Sequence, residues 1–337
     1  IERLLWEEQH RTRSLDTGAI QRLQYTIDLG IRQPEPIGKT ISMCEQMKEM
    51  TFSSTSLDTY LTCPLQFYYR YVLRLKEKEE ISGEVERTDV GTIIHQILYE
   101  YFLPLKGKQL TVNDLDSKRL ASITDDVFRR YYGKELLGEQ FVAKRQVVKH
   151  LIEFFDAYQT PVVNNETVVI ELLEEKLSAD IDGRKFEGKT DRIERRGGKR
   201  YILDYKTGSN EKNFSISFKK LNADERSTWS DAVGSVQLPL YMMMYSRTAE
   251  IPIDAITPAI LFLGKKQLTE KAEMCLFDTD ADVVAWYPTL EKIILSLVDE
   301  ILDIKTPFVP TDDIVNHCPE CAFKFICGTQ WAAKYTV

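Results

Sequence analysis

The sequence predicts a mixed α/β domain built on a small central β-sheet flanked by helices. Three observations predict it: apolar residues recur at helical spacing through residues 53–160, the period changes to that of strands from Val168 to Lys206, and helical spacing returns from residue 236. Helices, then a strand cluster, then helices mark a layered domain, and 337 residues suffice for one large core or two ordinary ones. The composition, 43% hydrophobic and 28% charged, is that of a soluble globular chain. No apolar run approaches the ~20 residues of a membrane span, so a soluble, cytoplasmic protein is expected. A net charge of −8 excludes a uniformly basic nucleic-acid coat but leaves local patches open, such as Arg192, Arg195, Arg196, Lys199 and Arg200.

Taken in order, residues 1–50 are polar and helical in pattern, are broken by Pro34 and Pro36, and carry no evident chemistry. They read as a linker or the tail of a preceding region, and a chain opening on Ile1 reads as a piece of something longer. The domain proper is expected over 51–337. Its first segment, "SSTSLDTYLTCPLQFYYRYVLRL" (53–75), opens on Ser and Asp capping candidates and continues with large apolar residues at helical spacing. A charged loop (76–89) leads to "DVGTIIHQILYEYF" (89–102), where Ile94, Ile97, Leu98 and Tyr101 form one apolar stripe, and residues 114–160 are helical again. Three strands follow as a meander, "VVIELLEEKLSADI", "RKFEGKTDRIER" and "KRYILDYK", joined by the turns Asp182-Gly183 and Gly197-Gly198. A helix over 236–246, a strand over 256–264, a helix over 281–304 and a cysteine-rich end complete the chain. Pro239 is awkward inside a helix, so that helix is expected to start close to it.

The chemistry concentrates at the end of the last meander strand. If Gly197-Gly198 is a two-residue hairpin turn, Arg196 faces Lys199 and the same register sets Asp191 directly opposite Asp204, with Lys206 on the same face as Asp204. Like charges in that position repel, and a divalent cation between them removes the conflict. Mg²⁺ takes oxygen ligands, often only one or two carboxylates, and leaves positions for water and substrate phosphate, which suits phosphodiester hydrolysis with Lys206 acting on the water or on developing charge. The structural alternative is an ordinary salt bridge of Asp204 with Lys206 or a neighbouring arginine. "GRKFEGKT" (183–190) matches the phosphate-loop pattern letter for letter, but it neither follows an apolar strand nor opens a helix, so it is read as strand, with Lys189 left as a candidate contact to a nucleic-acid backbone.

The spacing of "GKTDRIER", "LDYKTG" and "QLPLY" resembles the RecB-like branch of the PD-(D/E)XK nuclease superfamily, including the AddB-type nuclease domain of bacterial helicase–nucleases. The resemblance implies a restriction-endonuclease-like α/β fold and a Mg²⁺- or Mn²⁺-dependent deoxyribonuclease, with DNA as substrate and a helicase motor as partner. It implies Asp191, Asp204, Lys206, Gln237 and Tyr241 as catalytic residues, and His95, Asp191, Asp204 and the backbone carbonyl of Tyr205 around the metal. Arg192 and Lys189 are expected to touch DNA, and Glu171 or Glu175 is a candidate further carboxylate. The competing class is a non-catalytic DNA-binding or scaffold protein that keeps the fold.

Six cysteines are present, and "HCPECAFKFICG" spaces three of them as Cys318-x2-Cys321-x5-Cys327, without a second C-x-x-C. Cys63 is the candidate fourth ligand; the same resemblance implies a [4Fe–4S] cluster on Cys63, Cys318, Cys321 and Cys327, with zinc as the alternative and unliganded core thiols as the plain reading. The cluster would clip the C-terminal end to an N-terminal helix across a very long loop. Cys44 and Cys275 read as ordinary thiols.

Overall fold

The structure, a computed structural model, describes residues 34–76, 87–136, 138–208, 210–265, 268–269 and 272–330. Most of the expected linker therefore lies outside the described residues. Its last part does not hang free: Ile37 pairs with Phe308, and helix α1 (Ile41–Lys48) buries Cys44 and Met47. Lys39 donates to the carbonyls of Glu300 and Asp303, so the packed unit reaches back to residue 37. Strand β1 (Thr51–Phe52) then lies parallel to Lys185 and Phe186 of the later strand that carries Asp191.

Helix α2 (Ser54–Thr62) starts on a reciprocal Ser53/Ser56 capping box and stops at Cys63, which accepts the Gln66 amide of the next short turn, Pro64–Phe67. Helix α3 (Arg87–Phe102) buries Ile93, Ile94, Ile97, Leu98, Tyr101 and Phe102, the expected stripe. After β2 (Gln109–Leu110), helices α4 (Ser117–Tyr132) and α5 (Glu139–Phe154) fill the predicted 114–160 segment.

The meander is β3 (Val168–Ile181), β4 (Arg184–Arg196) and β5 (Lys199–Lys206). Asp182 and Gly183 both have positive φ, as a tight hairpin between right-twisted strands requires; at the second hairpin Gly197 has one. Helix α6 (Gln237–Ala249) crosses back to β6 (Ile256–Phe262), which pairs parallel to β5; β7 (Glu273–Cys275) closes the edge and α7 (Asp280–Leu302) follows. Pro239 sits in the first turn of α6, where a missing N–H is tolerated. The strand order is β2-β3-β4-β5-β6-β7, with β1 beside the opening residues of β4. Residues 183–190, the phosphate-loop look-alike, are turn and strand.

Sequence period explains the layering. Alternate β5 residues go to opposite sides, Ile202 into a core shared with α1, α2, α6 and α7, Leu203 and Tyr205 into one shared with α3, α4 and α5. The sheet is thus covered on both faces, and Thr190, Asp191, Arg192 and Glu194 on β4 and Asp204 on β5 are buried polar groups.

Candidate functional site

The β4–β5 register is the one the glycine turn predicts: Arg196 pairs with Lys199, and the ladder runs to Arg192 opposite Leu203. One step further it opens. The Tyr205 N–H donates to the Asp191 carboxylate (Oδ2, 2.5 Å). At this opening His95, from the middle of α3, places Nδ1 3.0 Å from Asp191 Oδ1 and 3.6 Å from Glu174 Oε1, and its Nε2 donates to the Tyr205 carbonyl at 3.1 Å. Among the described residues, His95, Glu174 and Asp191 are the one set of three or more metal-ligating side chains whose ligand atoms all lie within 4.8 Å of one another.

Asp204 lies beside this set. Its Oδ1 accepts from Gln237 Nε2 (2.8 Å), its Oδ2 is 2.7 Å from Lys206 Nζ, and the same Gln237 amide reaches the Tyr241 hydroxyl at 3.1 Å. Gln237 and Tyr241 are one turn apart on α6 and so share a face. Gly188 shows why the G-x-x-D and Q-x-x-x-Y segments belong together: a Cβ there would stand 2.5 Å from Tyr241 Cε1, so only glycine lets the ring lie against β4. Lys206 also sits over the Phe214 ring, 5.0 Å from its centroid.

The electrostatics are those of crowded acids. Burial, reinforced by the Asp191 charge and opposed by Lys206, pushes the Asp204 carboxyl up to about 6. Burial alone would lower His95, but its hydrogen bonds to Asp191 and Glu174 outweigh that and push it up to about 10. Glu174 is buried too, yet His95 and Lys189 hold its carboxyl below the usual range. With both ring nitrogens donating, His95 is an imidazolium that supplies the positive charge these carboxylates lack.

The structure thus gathers Asp191, Asp204, Lys206, His95, the Tyr205 carbonyl, Gln237 and Tyr241 at one strand end. Three expectations change. The further carboxylate is Glu174, not Glu171 or Glu175: Glu171 is taken by Arg195 and Arg200, and Glu175 is exposed. Strand alternation fails here because β3 shifts register between Ile170 and Leu172 and Glu174 itself has a left-handed φ of 49°. Arg192 cannot touch DNA, because it is fully buried, stacked on Phe102 and paired with Glu194 at 2.7 Å. The local basic patch dissolves with it: Arg196 is buried against Glu194 and Glu273, and Lys199 pairs with Asp280. Lys189 stays at the rim with most of its side chain exposed, bound to Glu174 at 2.5 Å.

At the far end of α2, Cys63, Cys318, Cys321 and Cys327 line one small cavity together with Tyr69 and Phe323. Burial and the neighbouring sulfurs raise the Cys63 and Cys318 thiols and push Cys327 up to about 11. No three of these sulfurs share the 4.8 Å spacing of the carboxylate–histidine set. Cys44 lies apart on α1 and Cys275 on β7.

A family model for the PD-(D/E)XK nuclease superfamily matches residues 51–328. The chain belongs to this superfamily. Within the nuclease match lie every site residue named above and all four cavity cysteines. A protein of Carboxydothermus hydrogenoformans described as a subunit of an ATP-dependent helicase/deoxyribonuclease is 26% identical over 253 residues, 68% of this chain and 22% of that protein. Its counterpart of the same description from Clostridium perfringens strain SM101 is 23% identical over 195 residues, 49% of this chain and 16% of the relative. An uncharacterized protein of Rickettsia conorii is 27% identical over 175 residues, 51% of this chain and 20% of its own length. The chain therefore spans about a fifth of the length of the curated relatives it matches. Among the described residues no helix is long and apolar enough to cross a membrane.

Proposed function

We propose that this domain is a Mg²⁺- or Mn²⁺-dependent deoxyribonuclease that hydrolyses phosphodiester bonds, as an exonuclease working with a helicase motor in the cytoplasm on broken DNA ends. The observation that carries the reading is the meeting of His95, Glu174 and Asp191 beside the Asp204–Lys206 pair, where two strands of a nuclease-superfamily domain part. The helicase partner rests on the printed description of the relatives and on nothing in the described residues.

The donor set fits a hard divalent cation: two carboxylates, an imidazole and the nearby Tyr205 carbonyl, with Asp204 adjacent. When bound, such an ion supplies Lewis-acid contact to the phosphate and a more acidic water. The chain's own residues do the rest. His95 would hold the ion through Nδ1, the nitrogen that faces Asp191 and Glu174, once its proton has passed to solvent. Lys206, held by Asp204, presents its ammonium to the charge that builds on the phosphate oxygens. Gln237 and Tyr241 keep Asp204 from rotating toward Asp191.

The cavity cysteines carry the second part of the proposal, a [4Fe–4S] cluster. Cys63, Cys318, Cys321 and Cys327 line one cavity. Burial and the neighbouring sulfurs push the Cys327 thiol up to about 11, a cost that a cationic group relieves, and four thiolates are the usual ligand set of such a cluster. Incubation of labelled linear DNA with the protein and Mg²⁺ tests the nuclease: wild type is expected to cleave, Lys206→Ala to lose about 10²–10³-fold, and cleavage that ignores Lys206 would refute the reading. A visible absorption band from iron–sulfur charge transfer in anaerobically purified protein supports the cluster; a colourless zinc-loaded sample contradicts it.

A further inference from the structure

One half-buried carboxylate near the site has no part in the arrangement above. Asp58 lies on α2, its Oδ2 accepting from the Ser235 hydroxyl at 2.6 Å and its Oδ1 from the Val236 N–H at 2.7 Å. Ser235 Oγ in turn accepts the Gln237 N–H at 3.1 Å. These are the residues that open α6, and Val236, in the capping position, offers no side-chain acceptor of its own. Asp58 therefore caps α6 from a different helix, satisfying an orphan amide where the positive end of the helix dipole favours a negative charge. Burial raises its carboxyl to about 6 in spite of both hydrogen bonds, so keeping a charge here is costly.

The first residue of α6 is Gln237, whose side chain fixes Asp204, whose other oxygen holds Lys206. Asp58 lines the same cavity as Lys206 and Gln237. We propose that Asp58 is a positioning residue: by capping α6 from α2 it sets how far Gln237 reaches toward Asp204, and through Asp204 it sets where Lys206 stands. This deepens the nuclease reading and rests on it. A cap that only added stability would have no such dependence on Gln237.

The test uses the whole chain, Mg²⁺ and a labelled single-stranded oligonucleotide. Asp58→Ala is expected to lower kcat by about 10²-fold with KM unchanged, the scale of a small misplacement of reacting groups. Combined with Gln237→Ala, it is expected to be no worse than the more damaging single change, and Asp58→Asn, which keeps an acceptor for Val236, is expected to recover most of the rate. Losses that multiply, or a folded Asp58→Ala with full kcat, overturn the proposal. Ser235→Ala serves as a second variant with the same expected pattern should Asp58→Ala fail to fold. The Gln237 side-chain amide resonance gives a readout independent of activity: it is expected to move in Asp58→Ala and in Ser235→Ala, and an unmoved signal overturns the proposal. Failure of wild type to cleave DNA would count against the nuclease reading alone, since the resonance still decides the positioning.

Discussion

Two clusters of charge lie on the same β4–β5 hairpin, and they are built oppositely. Toward the glycine turn, Arg192, Glu194, Arg196 and Glu273 form a buried network in which two arginines meet two glutamates and no further charge is needed. At the parting of the strands, Glu174, Asp191 and Asp204 face Lys189, Lys206 and a histidine that balances them only while protonated. The first cluster is closed and holds the sheet to α3 and the turn after α5. The second is open at the strand end, with His95 and Lys206 each about a quarter exposed. The contrast separates a closed ion network from an open cluster whose charge balance hangs on one histidine.

Substitution should break the comparison in opposite ways. Asp191→Asn is expected to abolish DNA cleavage while the protein still unfolds cooperatively; Glu194→Ala is expected to leave any folded fraction active. Glu194→Ala leaves the buried Arg192 guanidinium without its carboxylate, while Arg196 keeps Glu273, and should cost about 3–5 kcal/mol in denaturant unfolding. Equal losses of stability from the two changes would erase the distinction. Gly188→Ala should cost less, about 1–3 kcal/mol of overpacking against Tyr241, and lower the cleavage rate by moving that ring; a rate equal to wild type would show that the ring's seat does not matter.

The smallest effect is a pH dependence. The folded pKa of His95, about 10, lies above its ordinary value of 6.5, so its contribution to stability is full below about pH 6.5 and is lost as pH rises through 10. Metal-free protein should therefore melt at progressively lower temperature across that window, and His95→Gln should flatten the trend. An unchanged slope in His95→Gln would assign it to other groups.

Much of this is legible in the residues alone, for physical reasons. Gly197-Gly198 fixes the hairpin register as far as Arg192 opposite Leu203, so the neighbourhood of Asp191 and Asp204 can be placed from the turn. The ladder nevertheless ends one step before the expected pair, and Asp191 accepts the Tyr205 N–H instead. Gln237 and Tyr241 follow from the resemblance and helical spacing. Glu174 escapes such reasoning because a bulge and a left-handed residue reset the alternation; the doublets Leu172-Leu173 and Glu174-Glu175 are its visible trace. Arg192 is misplaced by it because charge near a turn looks solvated in sequence, whereas a two-sided sheet buries that face and supplies Glu194 from the same strand. The four-cysteine cavity is anticipated by spacing and resemblance together, since nothing in the composition joins Cys63 to Cys318.

The central claim is that His95, Glu174 and Asp191 together hold a divalent cation. Crystals soaked in Mn²⁺ and measured at an anomalous wavelength test it most directly. One strong peak bonded to all three side chains, with His95 turned from imidazolium to ligand, is the predicted result. A peak elsewhere, or none here at saturating Mn²⁺, would contradict it.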